Sequence, residues 1–210
     1  MSKSYIAAGV VAAGLVLLTI GTVQAQDATD GPGPNLVIEV DGSTTGTIVI
    51  DLVPEVAPKH VAQIVALAKA GTYDDVVFHR VIDGFMAQTG DVQFGKAGGS
   101  PQAGMGQSDM PNLPAEFSSL SFDRGVIGMA RSGDPACGGQ PDCKEAEEFL
   151  NSANSQFFIM FAPAPHLDGG YTIVGRVISG IEVVDSIKKG EGGNGEVTAP
   201  DRMAKVTVVE

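Results

Sequence analysis

The chain has 210 residues, 43% of them hydrophobic and 18% charged, a balance that fits one globular domain with a sizeable core and excludes a disordered or fibrous chain. Its formal charge of -12, with only 13 Lys and Arg, argues against nucleic acid as a partner, because neutralising phosphate needs clustered basic residues. A soluble, self-repelling surface accounts for the acidity.

At the N-terminus Lys3 precedes an uncharged apolar run from Ile6 to Ile20, followed by Val23-Gln24-Ala25 with small or branched residues at the two positions that specify cleavage. The pattern predicts a secretory signal peptide over 1–25, cut after Ala25. A membrane anchor is the competing reading, but the run is shorter than the ~20 residues that span a bilayer. The expected location is therefore periplasmic or secreted, with no stable membrane insertion once the leader is removed. Residues 26–34 (QDATDGPGP) are polar and rich in Gly and Pro, as in a flexible spacer, and the domain is expected over 35–210.

Within the domain, 36–41 and 47–52 flank the Gly- and Thr-rich turn GSTTG and predict a β-hairpin. Residues 58–70 carry apolar side chains at helical spacing, with Pro58 in the first turn and Gly71 just past the end. Further β-like runs follow at 76–82, 85–89, 126–130, 156–161, 173–178 and 203–209. A second helix is expected over 180–189, with Ser179 and Glu182 as a capping box and Gly190 as its stop. Many strands and two separated helices predict a mainly β fold, a closed antiparallel barrel with helices packed at its ends.

Several chemistries find no support. The string GEGGNG at 190–195 matches G-x-G-x-x-G, but a helix precedes it and a strand follows, the reverse of a dinucleotide fingerprint. His60, His79 and His166 are scattered, and two thiols are too few for a structural zinc, so neither metal nor cofactor is expected. In an exported protein Cys137 and Cys143 are expected to form a disulfide, since GGQPD between them favours a turn.

In QFFIMF, alternation puts Phe157, Ile159 and Phe161 on one face, which belongs in the core, and Gln156, Phe158 and Met160 on the other. An aromatic and a Met beside an amide form an odd outer face. Either a loop or helix covers Phe158 or a ligand does, and the pattern leaves both open. Phe85, Met86 and Gln88 repeat the combination.

Three blocks, FHRVIDGFMAQTGD at 78–91, SQFFIMF at 155–161 and HLDGGYTIVGRV at 166–177, together resemble the cyclophilin family, and the likeness extends over most of 35–210. The resemblance implies an eight-stranded antiparallel barrel closed by two helices. It also implies a cofactor-free peptidyl-prolyl cis-trans isomerase acting on proline-containing polypeptides. By the same resemblance Arg80 is the catalytic arginine, Phe85, Met86, Phe158 and Leu167 hold the proline ring, and Gln88 binds substrate backbone. His79, Ala130, Gln156 and Tyr171 are expected along the groove. Arg131, His166 and Tyr171 stand where many eukaryotic members have Asn, Trp and His, which bears on ligand preference. The segment 132–154 is longer than the family's usual link and is expected as a loop at the groove rim. The expected role is assisting the folding of exported proteins, as a monomer. The alternatives are a non-catalytic chaperone module that binds proline peptides, and an envelope interaction protein using the acidic surface.

Overall fold

The computed structural model describes residue 1 and residues 29–98, 100–138, 140 and 143–210. The leader expected over 1–25 falls, apart from residue 1, outside them. The strands are β1 (Asn35–Asp41), β2 (Gly46–Leu52), β3 (Val76–Val77), β4 (Arg80–Ile82), β5 (Met86–Thr89), β6 (Val126–Met129), β7 (Phe157–Met160), β8 (Ile173–Ser179) and β9 (Arg202–Val209). The helices are α1 (Pro58–Lys69), α2 (Glu147–Leu150) and α3 (Ile181–Ser186), with one 3-10 turn at Pro165–Leu167.

The first hairpin forms as the GSTTG turn between its two runs predicts. Leu36 faces Ile50 and Ile38 faces Ile48, so both strands send their branched residues to the same side. The strands make one antiparallel sheet in the order β3-β9-β1-β2-β8-β6-β7-β5-β4. β3 and β4 stand at opposite ends of that order, yet only Phe78 and His79 separate them in the chain. The sheet therefore curls until its ends meet in the single extended segment 76–82. Bonds from Phe78 N to Asp201 O and from Val81 N to Gly195 O hold this segment to the stretch leading into β9. Counted as one bent strand, β3 and β4 turn the nine strands into the expected eight.

Inside the curl lies a core that includes Ile38, Ile48, Ile50, Phe78, Ile127, Phe157, Ile159 and Val206. Burying each such side chain contributes about 1.5–3 kcal/mol. A second apolar cluster, Met86, Phe122, Phe158, Met160, Ala164, Leu167 and Ile173, lies on the outer face. β7 is thus buried on both sides, Phe157 and Ile159 inward, Phe158 and Met160 outward.

α1 covers part of the inner core with Val61, Ile64, Leu67 and Ala68. Gly71, in the left-handed region at φ 68°, ends it. The bonds from Gly71 N to Ala68 O and from Thr72 N to Leu67 O satisfy the last carbonyls. No neighbouring side chain caps the other end. Glu116, far along the chain, does so instead: its carboxylate accepts Lys59 N and His60 N and lies 2.7 Å from His60 Nδ1. Burial alone would raise the Glu116 pKa, but these bonds outweigh it and hold the carboxyl below its ordinary range.

Two expectations for the second helix fail. It ends at Ser186 rather than 189, and its N-cap is Gly180, with no side-chain cap. Ser179 is still paired in the sheet, opposite Val49. Gly180, at φ 81°, lies so near Thr47 O that a Cβ there would sit 2.1 Å away, and this close turn moves the helix start one residue past the predicted box.

Residues 29–34, expected as a flexible spacer, lie along β2 and β8: Arg176 Nη2 donates to Thr29 O, and Leu52 N donates to Pro34 O. Cys137 and Cys143 form a disulfide, Cα to Cα 5.4 Å, as expected. No helix among the described residues is long and apolar enough to cross a membrane.

The remote cap generates a stability prediction. Glu116→Ala is expected to lower the unfolding free energy by about 2 kcal/mol, since charged bonds to two backbone donors and a buried ring are lost. Glu116→Gln, which keeps an acceptor, is expected to lose less; urea unfolding of the three proteins measures both.

Candidate active site

Cross-strand register builds the site. Arg80 in β4 faces Gln88 in β5, Gln88 faces Phe158 in β7, and Phe158 faces Gly128 in β6. Residues directly opposite in a sheet share a face, so these four form one row across the outer surface. Two residues along, Ile82, Met86 and Met160 form the next row.

Between the rows and the turn at 165–167 lies a pocket of about 210 Å³, lined by Arg80, Phe85, Met86, Gln88, Ala130, Arg131, Phe158, Leu167 and Tyr171. Its floor is Phe158, 6% exposed. Of the two readings left open for that side chain, the structure shows a covering segment: Phe122 stacks on one side of the ring at 5.8 Å between centroids, and Phe158 also lines the pocket. Gly128 makes the packing possible, because a Cβ there would lie 2.4 Å from Phe158 Cζ and 2.6 Å from Phe122 Cε1. Tyr171 meets Phe158 edge-on at 5.7 Å.

A hydrogen-bonded chain holds the polar side. Asp91, fully buried, accepts Gln93 N and Phe94 N on one oxygen and Gly104 N and Gly106 N on the other. Burial works to raise its pKa, but these four backbone donors prevail and keep the carboxyl below its ordinary value. The carbonyls of Gly104 and Gly106 in turn accept Gln156 Nε2, Gln156 Oε1 accepts Gln88 Nε2, and Gln88 Oε1 accepts Arg80 Nη1 at 3.2 Å. Arg80 Nε donates to Asn194 O. Each amide is oriented by its neighbour, and the guanidinium is fixed from two sides, with Nη2 unengaged among the described residues.

The structure thus brings together Arg80, Phe85, Met86, Gln88, Ala130, Phe158, Leu167 and Tyr171 in one pocket. Gln156 lines an adjoining pocket of about 320 Å³, which shares Gln88, Ala130 and Arg131 with the first. His79, expected along the groove, lines neither. It is 7% exposed, and Gly104 packs closely over its ring. Residues 79 and 80 are consecutive in an extended segment, so with Arg80 outward His79 turns inward. Burial drives its imidazole down to about 4; the Asp91 charge opposes this and the Arg80 charge adds to it.

Arg131, singled out in the sequence as a departure that bears on ligand preference, lines both pockets, whereas sequence reasoning missed Phe122 as a support. Phe122 lies in a segment without regular structure, so no periodicity announces it. Among the described residues no group of three or more His, Cys, Asp or Glu could hold a metal ion.

Residues 36–208 match the family model described as cyclophilin type peptidyl-prolyl cis-trans isomerase. A probable peptidyl-prolyl cis-trans isomerase of Brucella suis is 47% identical over 209 residues, covering 98% of this chain and 97% of that protein. A peptidyl-prolyl cis-trans isomerase of Arabidopsis thaliana is 35% identical over 164 residues, covering 78% of this chain and 90% of its own. Among solved structures, a cyclophilin-type isomerase of Cryptosporidium parvum, crystallised in the presence of the dipeptide Ala-Pro, has a TM-score of 0.65 at 23% identity, covering 84% of this chain and 99% of that one. A cyclophilin from Hirschia baltica has a TM-score of 0.63 at 24% identity, covering 91% and 81%.

The buried imidazoles predict acid sensitivity. His79 titrates near 6.5 when unfolded and about 4 when folded, so the stability it confers is complete above pH 6.5 and is lost as pH falls toward 4. His60, also lowered by burial, acts in the same direction, whereas Asp51, raised by burial, acts in the opposite one. Urea midpoints between pH 7.5 and 4.5 are expected to fall, and His79→Gln is expected to flatten that fall. An unchanged slope in the variant would remove His79 as its source.

Proposed function

The chain belongs to the cyclophilin family of peptidyl-prolyl cis-trans isomerases, and from that premise we propose that it assists the folding of exported proteins, using the 210 Å³ pocket to hold proline and Arg80 to catalyse rotation. The observation that carries the site assignment is the placement of a fixed guanidinium beside an apolar pocket of proline size, with no nucleophile needed.

Rotation about an X-Pro bond forfeits amide resonance against a barrier of ~18–20 kcal/mol. At ~19 kcal/mol the spontaneous rate is roughly 0.06 per second. Reaching on the order of 1,000 per second needs about four decades, or ~6 kcal/mol of differential stabilisation. In the twisted transition state the prolyl nitrogen becomes pyramidal and recovers its lone pair. Arg80 supplies a donor that meets this electron pair only at that stage, and the Gln88 bond spares it reorganisation. Phe85, Met86, Phe158 and Leu167 hold the ring by apolar contact, and Gln88 and Gln156 offer amide groups to the flanking backbone. His79 carries no proton-transfer role, since the reaction moves no proton.

Action outside the cytoplasm is supported by the apolar leader with its small-residue cleavage site and by the Cys137–Cys143 disulfide, a bond that persists in oxidising compartments. Substrates are proline-bearing unfolded segments or exposed loops, and the working unit is a monomer.

Arg80→Ala is expected to lower kcat at least a hundredfold with the fold retained, read by NMR exchange on a proline peptide. Activity within threefold of wild type would sink the assignment. Phe158→Ala is expected to weaken peptide binding along with turnover. A protein that binds the peptide without accelerating exchange would instead be the chaperone module. For location, the mature protein in the periplasmic or culture fraction is expected to begin at Gln26 by N-terminal sequencing; a chain retaining Lys3 and sedimenting with membranes would show an anchor.

A further inference from the structure

Arg131 occupies an unusual position for a surface arginine. Its side chain is 6% exposed, and it contributes to the lining of both pockets. Nη2 donates to Glu145 Oε2, Nε to Gly170 O and Nη1 to Ser132 O, and the guanidinium lies over the Tyr171 ring, 4.5 Å from its centroid. Tyr171 is itself packed edge-on against the pocket floor at Phe158. The bond from Arg131 keeps the Glu145 carboxyl below its ordinary range.

Glu145 belongs to the insertion, and the insertion is built to hold it. Its second oxygen accepts Asp134 N. The Asp134 carboxylate spans the two arms of the loop, accepting Ala136 N from one and Ala146 N from the other. Further out, the Cys137–Cys143 disulfide joins the arms, and Ser132 N to Ser152 Oγ closes them at the base. A loop of this kind restrains where Glu145 can go far more than it stabilises the whole domain, because the closed ring is short.

We propose that Glu145 is a positioning residue: held by the disulfide-closed insertion, it fixes Arg131 as the wall between the two pockets and so sets which residues next to proline the enzyme accepts. The inference rests on the assignment of the 210 Å³ pocket to the proline ring. Glu145→Gln removes the charge that compensates this nearly buried guanidinium and, since one carboxylate oxygen serves Arg131 and the other Asp134 N, leaves one of those donors facing an amide N–H; the loosened guanidinium then shifts from Tyr171 toward the pockets it lines. The chain flanking a bound proline passes that wall to reach the polar second pocket, with Gln107, Ser132, Ser152 and Asn154. Loss of the clamp therefore alters binding of the flanking residues while Arg80 and its bond to Gln88 remain.

The test measures kcat and KM by NMR exchange for a peptide series varied at the two residues preceding proline. Glu145→Gln is expected to raise KM at least threefold for part of the series and to change the order of preference, with kcat within twofold. The double variant Cys137→Ser/Cys143→Ser is expected to change the order in the same sense. Combined with Glu145→Gln it is expected to add less than 1.5-fold, because both act through one clamp. Should Glu145→Gln fail to fold, Glu145→Asp, which keeps the charge but shortens the reach, is expected to shift the order in the same direction by a smaller factor. An unchanged order and unchanged KM values in a folded Glu145 variant would overturn the proposal. An altered order in Glu145→Gln with an unaltered one in the cysteine variant would overturn the part given to the disulfide. Equal turnover by wild type and Arg80→Ala would overturn the site assignment on which the clamp depends.

Discussion

Antiparallel pairing of β4, β5, β7 and β6 sets Arg80, Gln88, Phe158 and Gly128 opposite one another, and that register leaves no freedom about the face they occupy. A slip of one residue would turn Arg80 into the core and His79 out, and would exchange Phe158 for Phe157. Shape fixes the register of β7, whose faces are both buried: Phe157 and Ile159 fill the inner core, Phe158 and Met160 the outer cluster, and Gly128 opposite Phe158 leaves room for its ring. The energy that holds the fold together and the geometry of the pocket are therefore the same contacts. Few substitutions in β7 can change one without the other.

The polar half of the site is held by a chain that begins well away from it. Asp91 gathers four backbone donors, which fixes the segment at Gly104 and Gly106; their carbonyls orient Gln156, and through Gln88 the orientation reaches Arg80. A buried carboxylate without those donors would be costly, and with them it becomes a rigid anchor. On the role proposed for Arg80, this rigidity matters more than reactivity, since a preset donor gains its advantage by not having to reorganise.

A different route to order appears in the long irregular stretches. Glu116 caps α1 from a distant loop, Phe122 backs the pocket floor, and Glu145 reaches Arg131 from the insertion. None lies in a strand, and each ties an otherwise irregular segment to the rest of the fold through its side chain. Such segments carry function because the scaffold can position them without its own packing depending on their whole sequence.

The resemblance of three short blocks to the cyclophilin family singled out Arg80, Gln88 and Phe158, and the sequence by itself determined the strands, α1 and its Gly71 stop, and the first hairpin. These are local matters: alternation at period two, helical spacing and turn chemistry act between near neighbours. Only the tertiary structure decided that the two ends of the sheet meet at Phe78 and His79, that His79 faces inward, that Gly180 rather than Ser179 opens α3, that Phe122 backs the pocket floor, and that Arg131 packs over Tyr171. Each of those depends on contacts between residues far apart in the chain, Gly180 against Thr47, Phe122 against Phe158, Arg131 against Tyr171, and no local period records which distant surface a side chain will meet.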